Sequence, residues 1–112
     1  MRRTLVTRLC FVGFALISFA GSANAQDAEK GKAVYAAQKC SMCHSIAGVG
    51  SKMAPLDGVG SKHTVAEIKA WITDPDPLTA KLATKPKIKM KKYTLPDAEL
   101  DALVAYMASL KK

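Results

Sequence analysis

The segment QKCSMCHSIAG, residues 38–48, limits this chain more than any other stretch. Cys40 and Cys43 stand three positions apart, and His44 follows at once. Any fold must bring two thiols and an imidazole into one small volume. A Cys40–Cys43 disulfide would close a loop too short to restrain much of the chain, and it leaves His44 without a task. A thiol–disulfide exchange site wants a preceding strand and its first cysteine at a helix N-terminus, where the thiol acidifies. Here the cysteines come at the end of a helical stretch. A tetrahedral zinc site needs four ligands. With His63 as the one further candidate, the adjacent Cys43 and His44 would have trouble converging on one ion.

The chain has 112 residues and a formal charge of +8, enough for one small domain. Its first 25 residues read as an export signal. Arg2, Arg3 and Arg8 give a basic start, residues 9–20 are an apolar run of 12, and Ala23-Asn24-Ala25 offers the small residues of a cleavage site. The run is shorter than the roughly 20 residues of a membrane span, so no stable membrane insertion is expected after cleavage. Cys10 leaves with the signal. The expected mature domain, residues 26–112, loses three of 17 basic residues and none of nine acidic ones, which leaves +5. It keeps Cys40 and Cys43 alone. A domain this small has a thin core and commonly needs a staple, which the short cysteine loop does not supply.

The remaining sequence reads as helices joined by irregular segments. Asp27 is placed to cap a first helix running to about Lys39, with Gly31 and Tyr35 on one face. Residues 45–61, rich in glycine, read as a loop. Thr64 and Glu67 form a capping-box pattern, and Val65, Ile68, Trp71 and Ile72 follow at helical spacing until Pro75 ends the helix near Asp74. Residues 75–93 carry Pro77, Pro86 and, over 85–92, five lysines at 85, 87, 89, 91 and 92, and read as a wrapping loop with a short turn around 78–84. A last helix, capped at Thr94 with Pro96 in its first turn, carries the stripe Leu100, Leu103, Val104, Met107 and Leu110.

One reading of the opening motif employs every residue in it. C-x-x-C-H is the attachment pattern of a c-type haem. Cys40 and Cys43 would form thioethers to neighbouring vinyl groups, and His44 would reach the iron. A covalently held apolar ring then supplies the core that the chain lacks.

The motifs EKGKAVYAAQKCSMCH, the AP of residues 54–55, AWITDP, the KM of residues 89–90 and AELDALVAYMASL occur in that order and are spread from residue 29 to residue 110, across nearly all of residues 26–112. In these the chain resembles a small class I cytochrome c of the bacterial periplasm. The resemblance implies an all-α, cytochrome c-like fold of three to five helices around one covalent haem. It further implies that the first and last helices cross with Gly31 and Tyr35 against Leu103 and Tyr106. It gives the Pro55 carbonyl the task of accepting the ring N–H of His44, and places Trp71 beside the haem. Two positions depart from the family pattern. Ser61, Lys62 and His63 stand where an arginine often meets a haem propionate, and Lys91 stands where a proline often follows the ligand methionine.

The second axial ligand could come from Met42, Met53, Met90, Met107 or His63. The resemblance favours Met90, in a segment long enough to cross to the other face of the haem, and His63 is its rival. A His/Met pair raises the reduction potential and suits electron transfer. The expectation is an electron carrier and not an enzyme, exported to the periplasm and serving redox protein partners. Lysines 85–92 would offer such partners a basic surface that attracts acidic ones. Nucleic acid is a poor match for an exported chain. Two alternatives are a haem subunit of a larger oxidoreductase complex and, further off, an open-site haem sensor or peroxidase.

Overall fold

The computed structural model describes residues 23–112, and the predicted export signal lies outside them apart from its last three residues. The described residues form five α-helices: α1 (Ala23–Ala37), α2 (Val59–Lys62), α3 (Val65–Thr73), α4 (Pro75–Ala80) and α5 (Asp97–Ser109). Three very short strands, β1 (His44–Ile46), β2 (Val49–Gly50) and β3 (Ala54–Pro55), lie between α1 and α2. This is the helical architecture expected, with a small sheet added.

The core is built where α1, α3 and α5 meet. Val34, Ile68, Ile72, Leu100, Leu103, Val104 and Met107 are all buried there. Four of the five residues in the α5 stripe belong to this cluster, and Leu110 packs against it. The closest approach is at Gly31. A Cβ added there would overlap the carbonyl oxygen of Ala102 and stand 2.6 Å from Tyr106 Cβ. Tyr35, one turn on, meets the Tyr106 ring edge to face at 5.9 Å. Gly31 thus meets Ala102 and Tyr106, while Leu103 turns into the core and the cavity described below. Gly60 repeats the device on α2, where a Cβ would come within 3.0 Å of the Met107 carbonyl oxygen. The Gly60 N–H donates to Leu110 O at 2.9 Å, and the Lys111 ammonium donates to Gly60 O at 2.7 Å.

Helix α3 begins as its sequence indicates. Thr64 Oγ1 accepts the Glu67 N–H at 3.2 Å, and Glu67 Oε2 accepts the Thr64 N–H at 3.1 Å. These bonds favour the charged carboxylate. The Thr64 N–H, and after it the His63 ring, holds the Glu67 pKa below its ordinary value. A lowered pKa makes this contribution complete above the ordinary glutamate range and lost as pH falls through the folded pKa. Thr64→Ala should cost about 1 kcal/mol at neutral pH. Glu67→Gln should flatten the acid limb of stability against pH, measured by denaturant melts of the haem-loaded protein. An unchanged acid limb would remove Glu67 from the account.

Other boundaries differ from the sequence expectation. Helix α1 already includes Ala23 and runs through Asp27, which therefore does not cap it; residues 23–26 contain neither glycine nor proline to interrupt the helix. Helix α4 begins at Pro75, earlier than the turn expected around 78–84. Proline fits a first helical turn, where its missing N–H is not needed. Helix α5 is entered through Pro96, and Thr94 makes no cap. The Pro96 carbonyl accepts the Leu100 N–H at 2.9 Å.

The sheet has the order β2-β1-β3, antiparallel on one side of β1 and parallel on the other. Ala47 (φ 51°) and Gly48 (φ 79°) form the two-residue turn between Ile46 and Val49. Two left-handed residues match the twist of a tight hairpin. Asp57 Oδ1 accepts the Ala47 N–H at 2.8 Å and holds the alanine in that conformation.

Candidate haem site

The chain leaves α1 through Lys39, which takes a left-handed conformation (φ 56°) at a helix end where glycine is usual. A 3-10 turn over Cys40–Met42 follows, and the Cys43 N–H donates to Cys40 O at 3.1 Å. In 3-10 geometry residues i and i+3 eclipse one another. The local backbone therefore places the Cys40 and Cys43 side chains on one side, and both are free thiols. Cys40 is half-buried, and that burial raises its thiol pKa. Reactive exchange thiols require the opposite shift.

His44 is the first residue of β1, in parallel register with Ala54. Its ring Nδ1 lies 2.8 Å from the Ala54 carbonyl oxygen. A carbonyl can only accept, so Nδ1 carries the proton and the Nε2 lone pair stays free for a metal. The partner is thus Ala54 and not Pro55, as the sequence suggested. Carbonyls alternate in direction along a strand, and the register sets Ala54 against His44. Pro55 stands opposite Ser45, whose carbonyl receives the Leu56 N–H at 2.9 Å. Tyr35 adds a long contact from its hydroxyl to His44 O at 3.5 Å.

Cys40, Cys43 and His44 all line one cavity of about 890 Å³. The volume is at the upper end of the range for small-molecule and cofactor sites. Leu56, Val59, Ile68, Trp71, Ile72, Leu103 and Met107 give it apolar walls, and Pro55 joins them. Its charged lining is one-sided, with Lys39, Lys62, Lys87, Lys89 and Lys91 against Asp57 alone. The set of residues fits a haem closely in kind: two thiols on one side, an imidazole with its Nε2 free, apolar walls, and a cationic rim.

The cavity gathers every sequence candidate for the second ligand: Met42, Met53, Met90, Met107 and His63. Their surroundings differ. Met42 (70 % exposed) and Met53 (61 %) belong to the same covalent segment as His44 and are largely open to solvent. Met107 is buried within the core. The His63 ring is held through Nδ1 by Glu67 Oε2 at 3.1 Å. Met90 is half-buried against the core, in a segment without regular structure.

Residues that the sequence reading did not assign to the site include Thr79, 5 % exposed and on the cavity wall, and Tyr93. The Tyr93 N–H donates to Ile72 O at 3.0 Å, and the Lys91 ammonium sits 4.9 Å from its ring centroid. Burial, followed by the nearby Cys40 and Cys43, raises the Tyr93 phenol pKa. The sequence signal was present in a lone aromatic residue between Met90 and the last helix.

No described helix is long and apolar enough to cross a membrane. The family model described as Cytochrome c matches residues 28–111. No curated protein and no solved structure matches the chain.

Proposed function

The chain belongs to the cytochrome c family, and from that premise we propose a monohaem electron carrier with His44 and Met90 as axial ligands, exported to the periplasm. Membership makes it a haem-binding electron-transfer protein with covalently attached haem c. Cys40 and Cys43 hold the haem, and the bound iron supplies a one-electron Fe(III)/Fe(II) couple.

The observation that carries this reading is the meeting of Cys40, Cys43, His44 and Met90 on one cavity. The Ala54 carbonyl orients the imidazole and strengthens it as a donor. The Met90 thioether is a soft, neutral donor that favours the ferrous state. Trp71, Ile68, Ile72 and Leu103 exclude water, which limits reorganisation when the charge changes. With His44 and Met90 both holding the iron, the bound haem would have no open coordination position, which suits a carrier rather than an enzyme.

The partner is a redox protein with an acidic surface. Of the lysines at 85–92, Lys85 and Lys92 are engaged within the chain: Lys85 on backbone carbonyls and Lys92 with Asp74 at 2.9 Å. Lys87 and Lys89 remain at the cavity rim, flanking Ile88, which is 61 % exposed. A small apolar contact between two cations suits brief, steered docking.

An absorption spectrum tests the reading. The ferric protein should be low-spin, with the weak far-red band of sulfur bound to ferric iron, and the ferrous protein should bind carbon monoxide slowly. A high-spin ferric spectrum with rapid carbon monoxide binding would replace the carrier with an open-site haem protein.

A further inference from the structure

Met90 belongs to a strap, residues 83–92, in which no backbone N–H or C=O makes a described backbone hydrogen bond. Pro86 removes one donor altogether. Apart from the packing of Met90 on the core, no described backbone bond inside the strap fixes where Met90 stands, so its anchors bear on its position. At the far end these are the Tyr93 N–H on Ile72 O and the exposed Lys92–Asp74 pair. Exposed pairs contribute little.

The near anchor is of another kind. The Lys85 ammonium reaches back to the end of α4 and donates to Thr79 O at 3.2 Å, to Leu82 O at 2.8 Å and to Ala80 O. An ammonium has three protons and no acceptor, so this geometry uses all three. Thr79 and Ala80 close α4 and Leu82 lies just beyond it, at a helix C-terminus where the dipole favours a cation; Thr79 O also accepts the Leu82 N–H. Lys85 is followed by Pro86, which biases it toward extended backbone. Its side chain thus folds back on α4 while its main chain departs toward Met90.

We propose that Lys85 is a positioning residue for the Met90 strap. Its ammonium ties off α4 and fixes the point and direction from which the strap crosses the cavity. The assignment rests on the Met90 ligation proposed above. It separates Lys85 from Lys87 and Lys89, which carry the same charge in the same segment but make no described hydrogen bond or ion pair.

The test uses the haem-loaded protein and its variants Lys85→Met, Lys87→Met, Lys89→Met and Met90→Ala. Each lysine variant loses one charge and keeps an aliphatic stem. Two readouts are taken. One is amide hydrogen exchange at Leu82, whose N–H donates to Thr79 O at 3.1 Å. The other is the affinity of the ferric protein for added imidazole, which binds when the strap opens. A charged hydrogen-bond set that is partly open to solvent should be worth about a fivefold change. Lys85→Met should therefore exchange Leu82 about fivefold faster and bind imidazole about fivefold more tightly than Lys87→Met or Lys89→Met, which should match the parent. Global denaturation midpoints of the three lysine variants should agree within the error of the melts. Equal Leu82 exchange in Lys85→Met and Lys87→Met overturns the assignment. So does faster exchange without tighter imidazole binding, if Met90→Ala does tighten it. A Met90→Ala variant that binds imidazole no better than the parent overturns the ligation instead, and Leu82 exchange alone then decides whether Lys85 anchors the strap.

Discussion

Met90→Ala is expected to lower the reduction potential by on the order of 0.1 V, within the roughly 0.8 V that axial ligands span across haem proteins. The direction follows from the donor. A thioether stabilises ferrous iron relative to ferric, and alanine offers no donor in its place, so a hard ligand such as water takes over and favours the ferric state. The same variant should lose the far-red sulfur band and gain affinity for imidazole. The change should be local, because Met90 lies in an irregular segment and the core of α1, α3 and α5 is made by other residues. Spectroelectrochemical titration measures the potential. If the parent lacks the band, and the potential holds in Met90→Ala but shifts in His63→Ala, the ligand is His63, whose ring also lines the cavity.

The second large effect is on stability. Gly31→Ala should destabilise the haem-loaded protein by about 3 kcal/mol, at the top of the usual range for overpacking. Elsewhere in a helix the same change would stabilise by up to about 1 kcal/mol, so even the sign is diagnostic. Here the new methyl would overlap the Ala102 carbonyl, which is backbone and cannot swing aside as a side chain can. Helices α1 and α5 would have to separate. That would also loosen the Tyr35–Tyr106 contact and the Tyr35 hydroxyl over His44. Denaturant unfolding followed at the Soret band measures the loss. A Gly31→Ala protein as stable as the parent would mean that the two helices do not meet there.

What could be read in the sequence was what local chemistry writes there. The capping box at Thr64 and Glu67, the stop before Pro75 and the α5 stripe all follow from residues within one or two helical turns of each other. The cysteine pair and His44 announced themselves by spacing alone. The misses have physical causes too. Strands of two or three residues are too short to show alternation, so the sheet was invisible. Pro75 and Pro77 looked like loop residues because proline at a helix start and proline in a loop are the same letters. The acceptor for His44 is a backbone carbonyl, and no side chain reports which way a carbonyl points. Its identity as Ala54 depends on strand register, one residue from the Pro55 that the family pattern suggested. The five lysines of residues 85–92 looked equivalent until the fold returned Lys85 to α4 and Lys92 to Asp74. Gly60 was one glycine among several in a loop, and only its contact with the end of α5 gives it a task.

The account centres on Cys40, Cys43 and His44 as one covalent haem site. The measurement that bears on it most directly is the mass of the tryptic peptide spanning residues 40–52, which lies between Lys39 and Lys52 and holds both cysteines of the described chain. The protein is purified from a host able to attach haem c, denatured in acid, treated with iodoacetamide and digested. The account predicts one peptide carrying a single haem mass and no alkylation, with Cys40→Ala and Cys43→Ala each leaving at most one thioether. A peptide of unmodified backbone mass with both thiols alkylated would contradict it.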